Sequence, residues 1–486
     1  MLVFLNETYT WAPLHLQVEL LESKQVPIHS QILFINDVNG DGIQEVAVLN
    51  NKKIIEVYTI SSLDSPILSY NISKYITKAH NLNAKIIDVQ GTSMLVVVGA
   101  SFVNETHEAL QILCYSIQSS DSLLWHFEKA FQYSVSYTFA DINNDSVEDV
   151  IAATPFSVFV IDLKARQLLW ERNIDYDDIS NIVLVGDVNG DKRIEVVRCS
   201  ENLIYVLSSD NGKILSKLKF GTLDEKYDYF SATIYDINND GAEDVIYARE
   251  GKGIYAISFS KNNIRGMSWG FLWSLSLSVA PMKVSVYRDT ETYVYVRSCG
   301  KISVINAQSG ELIWSKEIPL YYETVDDIDS DDLLELVSGY NNTFYFIRLL
   351  DGTILHNFTV DLNCFLNLTS QNKEDLGEIH DMRETIHTYT TWTKPIVIDL
   401  NNDSKKEIIV GANMFAKNKQ GLFLLIIGSN GELILKKMIT EKPMQMRIYY
   451  CSTSSGNMKI IIFLEPLDTL LNKYSELRIY NLTITL

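Results

Sequence analysis

Six stretches of this chain repeat one pattern: Asp-x-Asn/Asp-x-Asp, with a further acid four residues on that opens a short apolar run. The copies are Asp37/Asn39/Asp41/Glu45, Asp141/Asn143/Asp145/Asp149, Asp187/Asn189/Asp191/Glu195, Asp236/Asn238/Asp240/Asp244, Asp327/Asp329/Asp331/Glu335 and Asp399/Asn401/Asp403/Glu407. A unit that recurs about every 45–50 residues is the mark of a repeat architecture, in which each unit is one supersecondary element. Oxygen donors on alternate positions of a tight loop are also what a hard cation needs.

The sequence around each loop reads as strands. In the first module Gln31–Asn36 alternates, the acidic loop follows, and Glu45–Leu49, Ile54–Ile60 and Ile67–Ile72 are three more short apolar runs. Four short antiparallel strands per unit is the pattern of a propeller blade. The fourth run follows a turn rich in Gly, Asp, Asn or Ser and often ends on Trp, as in Ser122–Trp125, Gln167–Trp170 and Gly310–Trp314. Aliphatic versions are Gly212–Leu215, Gly352–Leu355 and Gly431–Leu435. The glycine supplies the positive φ of a tight hairpin, and these bulky residues are expected to pack between neighbouring blades.

Three further modules keep the strands and lose the acids; they begin near Lys85–Asp88, Lys283–Val286 and Arg447–Tyr450. That makes nine first strands but only eight fourth strands, because the last module stops after Leu477–Thr485. Alternating runs at Leu2–Thr10 and Leu14–Leu20 precede the first full module. One of them can complete the last blade, closing the ring and removing its exposed strand edges. The expected fold is therefore all-β: a single closed propeller over 1–486, with nine modules forming eight or nine blades. Residues 361–392 form an insertion, polar and expected to be partly helical from Glu374 to Ile386, that carries His380, Asp381 and His387.

Composition limits the partners. The formal net charge of −20 argues against nucleic acid and against an electrostatic hold on anionic membranes. No transmembrane segment is visible, since Leu422–Ile427 and Ile460–Leu464 fall far short of the ~20 apolar residues needed. The five cysteines, Cys114, Cys199, Cys299, Cys364 and Cys451, have no C-x-x-C spacing and read as small hydrophobes rather than a zinc site. Met1–Leu5 has no basic start and too short an apolar run for a secretion signal, which leaves a cytosolic protein or one whose signal lies outside this sequence. Nine N-x-S/T sequons, at Asn6, Asn71, Asn104, Asn144, Asn341, Asn357, Asn367, Asn402 and Asn481, lean toward a secreted or surface glycoprotein. A glycan on Asn144 or Asn402 would compete with a metal in its loop.

In the first loop Asp37, Asn39 and Asp41 can converge on one ion, Ile43 can add a carbonyl and Glu45 can cap the site. An Asx-turn without metal folds the same residues; six copies in register favour calcium. The 19 carboxylates at ligand positions would let six divalent ions bring the formal charge to roughly −8. The loop resembles the FG-GAP or VCBS repeat of integrin-α-like propellers across nearly the whole chain, with Val98–Ala100, Ala153–Pro155 and Val410–Ala412 as remnants of that family's landmarks. The Gly-x-x-x-Trp strands resemble PQQ-type propeller repeats, with no adjacent cysteine pair to support a bound quinone. The resemblance implies structural calcium that pins the loop between the first two strands.

Two kinds of function remain. One is a non-catalytic, extracellular or cell-surface scaffold for adhesion or binding, with a protein or glycan ligand on a rim. The other is a calcium-dependent polysaccharide lyase or hydrolase; an intracellular interaction scaffold is a third variant. The chain has no HExxH, no G-x-S-x-G and no phosphate-binding glycine loop. His126, His356, His380 and His387 are scattered rather than paired with a nucleophile.

Overall fold

A computed structural model of the chain describes residues 15–76, 80–89, 91–102, 108–132, 134–176, 180–220, 229–262, 266–277, 280–318, 322–359, 389–416, 419–440, 444–452, 458–466 and 474–485. Among these residues every regular element is a strand. They form nine separate antiparallel sheets, one per sequence module. Blades 1 to 8 occupy 31–71, 80–131, 136–173, 181–219, 230–275, 281–316, 323–359 and 389–440.

Blade 9 is built from both ends of the chain. Met444–Ser452, Met458–Pro466 and Tyr474–Thr485 supply three strands, and His15–Pro27 supplies the fourth. His15 pairs with Thr485 and Pro27 with Tyr474, with one bulge between Leu20 and Glu22. The ring closes because blade 9 then packs on blade 1: Val26, Ile461, Phe463, Leu477 and Ile479 share one core with Val46, Val48, Tyr58 and Ile60.

Nine apolar clusters of this kind occur, and each joins two consecutive blades around the circle. The core is therefore a set of inter-blade seams. This explains the radial gradient in burial. Second and third strands have neighbours on both faces and are buried throughout, as in Asp149–Ala153 and Ser157–Asp162. First strands are half-buried along their length, as in Phe230–Tyr235, and line the central channel. Fourth strands face solvent in part, as in Gln167–Asn173.

The glycine-and-tryptophan signature is the device that locks one blade to the next. Trp170 of blade 3, Trp273 of blade 5 and Trp314 of blade 6 donate their Nε1–H to Ser209 O (2.6 Å), Ala307 O (2.6 Å) and Leu349 O (2.7 Å) in the following blade. Their rings lie on Gly212, Gly310 and Gly352, each with φ between 64° and 74°. A Cβ on any of these glycines would meet the ring at 2.4–2.7 Å. A bulge recurs on the fourth strand in each of blades 2 to 8, and in blades 3, 5 and 6 it immediately precedes the docked Trp. Leu124, Leu169, Leu215, Leu272, Ile313, Leu355 and Ile434 are each left without a partner on the third strand, one residue before the docking position.

In blade 8 the inner strand is broken into Tyr389–Trp392 and Ile396–Ile398, both paired to Glu407–Ala416. Pro395 lies in the break, where it has no ladder hydrogen to donate. The last four residues of the 361–392 insertion thus belong to a blade, and the expected helix at Glu374–Ile386 lies outside the described residues. Cys114, Cys199 and Cys451 are buried and free, whereas Cys299 is exposed; Cys364 lies outside the described residues. Among the described residues no helix is long and apolar enough to cross a membrane.

Candidate metal centre on one rim

Each acidic loop joins the first and second strand of its blade, so all six lie on the same rim, in blades 1, 3, 4, 5, 7 and 8. Their backbones share two left-handed residues. The later one is Gly42, Ser146, Lys192, Gly241, Asp332 or Ser404, with φ between 65° and 87°. The sequence marks that position with glycine at Gly42 and Gly241. It did not show the earlier one, Gly40, Asn144, Gly190, Asn239, Ser330 or Asn402, with φ between 57° and 76°. Four non-glycine residues hold the later strained conformation, and the loop's own carboxylates are what hold it.

In all six copies the first acid (Asp37, Asp141, Asp187, Asp236, Asp327 or Asp399) accepts the N–H of the residue five places on, at 2.7–3.2 Å. The third (Asp41, Asp145, Asp191, Asp240, Asp331 or Asp403) accepts the N–H two places on, at 2.7–3.1 Å. The final acid is buried at the first position of the second strand in every copy. In five of them it accepts the N–H of the residue after the first Asp: Val38 (2.8 Å), Ile142 (3.2 Å), Ile237 (3.2 Å), Ile328 (2.9 Å) and Leu400 (2.9 Å). In the sixth, Asn189 Nδ2 donates to Glu195 Oε1 at 2.7 Å.

The carboxylates of each copy are not all gathered at one point in this structure. Among the described residues, only in blade 7 do three carboxylates meet as a ligand cluster, and there Asp331 stands outside it. In the other five copies the middle Asn folds the loop. Asn39, Asn143, Asn189, Asn238 and Asn401 each accept, on Oδ1, the N–H of the residue two places on, at 2.9–3.1 Å. Their amides then turn to nearby acids. Asn39 Nδ2 donates to Asp41 at 3.0 Å, Asn238 to Asp240 at 2.9 Å and Asn401 to Asp403 at 3.0 Å, while Asn143 donates to Asp162 on the third strand at 3.2 Å. Asn143, Asp191, Asp240 and Asp403 are exposed, and Asn238 and Asn401 are half-buried. The physical reason is the tight turn itself, which points several N–H groups inward and uses side-chain oxygens to satisfy them. Blade 7 has Asp329 where the others have Asn, so no amide is present to engage the third acid.

The copies differ accordingly in what remains unsatisfied. In blade 7 Asp327, Asp329 and Glu335 each offer an oxygen, all within 4.8 Å of one another. Asp329 Oδ1 and Glu335 Oε1 are buried without a hydrogen-bond partner, as is Glu45 Oε1 in blade 1. Burial drives Glu335 up to about 7; the charges of Asp329, Asp331 and Asp327 add to this, against the pull of the Ile328 N–H. Burial likewise raises Glu407 to about 7, Asp149 to about 7 and Asp244 to about 6, with neighbouring loop carboxylates adding to each. A buried carboxylate crowded by others and lacking donors fits a divalent ion, whose charge reverses that penalty. Oxygens within 4.8 Å of one another suit calcium, whose ligands lie at ~2.3–2.6 Å from the ion.

Blade 3 is filled differently. Both oxygens of Asp149 are used, the second by Leu163 N–H at 3.3 Å. Lys164 donates to Asp145 O at 2.7 Å and lies 3.8 Å from its carboxylate. No sequence signal marked this lysine, because it comes from the turn after the third strand.

Adjacent loops are tied together around the rim. Glu243 N–H donates to Asp187 O at 2.7 Å, Lys406 N–H to Ile328 O at 2.8 Å, and Leu334 N–H to Asp289 of the acid-poor blade 6 at 3.3 Å. The acidic loops are therefore part of the seam between blades as well as of each blade.

No protein-family model matches this chain, and no curated protein matches it. Many solved structures do. They include the dihydro-heme d1 dehydrogenase NirN in complex with DHE, at 11% identity and a TM-score of 0.43, covering 84% of this chain and 75% of that one. Others are BBS1N in complex with ARL6DN, at 10% identity and 0.34 over 72% and 92%, and the WD40 domain of SCAP from fission yeast, at 9% and 0.36 over 72% and 96%. Likenesses this distant concern the fold alone.

Proposed function

We propose that this chain is a non-catalytic, calcium-stabilised propeller that acts as a binding scaffold at a cell surface or in secretion, with a protein or glycan ligand. The observation that carries the calcium reading is the blade 7 loop. Its buried oxygens Asp329 Oδ1 and Glu335 Oε1 have no donor, and they stand with Asp327 in a cluster of oxygen ligands. Asp327, Asp329 and Glu335 would hold the ion, which would supply the charge compensation these carboxylates lack. The same loop backbone in blades 1, 3, 4, 5 and 8 extends the reading to them. In blades 1, 5 and 8 an ion must displace the amide contacts Asn39–Asp41, Asn238–Asp240 and Asn401–Asp403. Blade 3 is the weakest, because Lys164 already pairs with Asp145. Exposed sequons at Asn71, Asn341 and Asn357 are compatible with a glycosylated surface.

A scaffold role is supported by a closed ring whose conspicuous acids are engaged in loop folding. His126 shares a hydrogen bond with Gln111 (2.7 Å) and packs on Tyr75, and His356 packs on Phe346 and against Gly431. Neither is poised beside a nucleophile. The test is a thermal melt of metal-stripped protein with CaCl2, MgCl2 or chelator, beside an assay for cleavage of a polysaccharide panel. A calcium-selective rise in Tm without cleavage supports the reading. An unchanged Tm refutes the calcium, and calcium-dependent release of reducing or unsaturated ends refutes the non-catalytic role.

A further inference from the structure

Blade 2 has no acidic loop, and the rim is open beside it. Blades with the loop place a long turn between their first two strands, residues 37–44 in blade 1 and 141–148 in blade 3. In blade 2 only residues 90 and 91 join His80–Val89 to Thr92–Phe102. Val89 stands opposite Thr92, and Gly91, at φ 78°, donates its N–H to Asp88 Oδ1 at 2.7 Å. Beside this short hairpin lies a cavity of about 350 Å³ between blades 2 and 3. Val89, Thr92 and Met94 line it from blade 2, and Lys164 and Arg166 from the blade 3 turn after Ser157–Asp162.

Three observations define what fits. Two cations meet at one opening, in a chain whose formal net charge is −20. Both can reach solvent, since Arg166 is exposed and Lys164 half-buried. Arg166 Nη2 touches Met94 Sδ at 3.8 Å. A thioether is a weak acceptor, and the planar fork of a guanidinium suits a stronger one, an oxyanion held by two parallel hydrogen bonds. Lys164 is shared: it donates to Asp145 O and lies 3.8 Å from the Asp145 carboxylate. The neighbouring acids are engaged by backbone, Asp88 by Gly91 N–H, Asp145 by Val147 N–H at 2.9 Å and Asp162 by Ala165 N–H at 2.7 Å. Finally, the wall is mixed. The Thr92 hydroxyl adds a neutral donor, and Val89 and Met94 add an apolar side.

We infer that this cavity binds a small organic oxyanion, a carboxylate or phosphate monoester on a short apolar body. Arg166 and Lys164 pair with the oxyanion, Thr92 Oγ1 donates to it, and the body rests on Val89 and Met94. The volume lies at the lower end of small-molecule sites, about 300–1,000 Å³, which suits a ligand of that size. Of the rim residues 88–94, 117–122, 141–148 and 163–167 around it, only Gln90 lies outside the described residues, and it carries no charge. The site does not depend on bound calcium, so its test is made without metal.

The experiment is saturation-transfer NMR on the full, metal-stripped chain with benzoate, phenyl phosphate and neutral benzyl alcohol, in low and high salt, with inorganic phosphate followed by phosphorus line width. The expected result is saturable binding of benzoate or phenyl phosphate, weakened by salt because the ion pairs are screened. Arg166→Gln should weaken it at least about tenfold, and Lys164→Gln by less, because Asp145 already shares that charge. Lys129, paired with Glu171 on the fourth strands, is the control: Lys129→Gln removes the same charge elsewhere and should leave binding unchanged. Circular dichroism reports folding, and Lys164→Gln carries the test against Lys129→Gln if Arg166→Gln fails to fold. No binding of either organic anion overturns the inference. So does benzyl alcohol binding as tightly, binding indifferent to salt, or an equal loss in the Arg166 and Lys129 variants. Inorganic phosphate binding more tightly than phenyl phosphate overturns the assignment of an apolar body.

Discussion

Glu335→Gln should stabilise this protein without calcium and lose that advantage when calcium is bound. The Glu335 side chain is almost fully buried, and burial among Asp327, Asp329 and Asp331 raises it from 4.5 to about 7. A raised carboxyl means the folded state holds its proton more tightly than the unfolded chain does. Folding is then favoured below the ordinary carboxyl value, and the advantage is lost as pH rises through about 7. Above that pH the ionised group costs on the order of 3 kcal/mol, from ~1.4 kcal/mol per unit. Glutamine keeps the shape, can accept the Ile328 N–H, and carries no charge. In metal-stripped protein near pH 8 the substitution should therefore stabilise, by up to about 3 kcal/mol. Near pH 5.5 the gain shrinks to about 1 kcal/mol, because the wild-type folded state is already protonated. With calcium that gain is offset: the variant loses a charged ligand, and a ~100-fold weaker site removes up to about 2.7 kcal/mol of linked stability, which brings the variant back to within about 1 kcal/mol of wild type. For a cooperative unit of 486 residues ~1 kcal/mol moves Tm by about 1 °C. Calorimetry at the two pH values, with and without calcium, resolves this. A variant that melts lower than wild type in metal-free buffer near pH 8, or a difference that ignores calcium, would refute the reasoning.

Two further outcomes follow from the seams and one from the blade 3 loop. Gly310→Ala places a Cβ 2.6 Å from the Trp273 ring at φ 74°, so left-handed strain and loss of the Trp273–Ala307 bond should together cost ~2–4 kcal/mol. A Tm within a degree of wild type would show that the ring is not held there. Deleting residues 1–27 removes the partner of Tyr474–Thr485 and takes Val18 and Val26 from two cores; aggregation on size-exclusion chromatography is expected, and a monomer of unchanged Tm would contradict the closure. Lys164→Ala should tighten calcium at blade 3 by freeing Asp145, read as one added ion at low calcium, and an unchanged titration would count against that competition.

Much of the fold was legible because repetition amplifies weak signals. One acidic loop is compatible with a plain turn, but six in register, with the apolar runs around them, mark nine modules. The missing fourth strand of the last module pointed to the N-terminus, and His15–Pro27 fills it. The bulges were not legible, since Leu169 and Leu215 read as ordinary strand residues until the third strand is set beside them. Nor was the difference between copies: Asn238 and Asn401 occupy the ligand spacing, yet their amides are turned onto Asp240 and Asp403. Lys164 was missed for a related reason: its role depends on a loop that joins two other strands of its blade, which no local spacing records.

That these loops bind calcium within a closed nine-blade ring is the central claim. Native mass spectrometry of the full chain, stripped and then returned to calcium, counts the ions directly. Several specifically retained ions are expected, up to six, with Glu335→Gln weakening one of them. A chain that retains none beyond the level of a control protein of equal charge would contradict the claim.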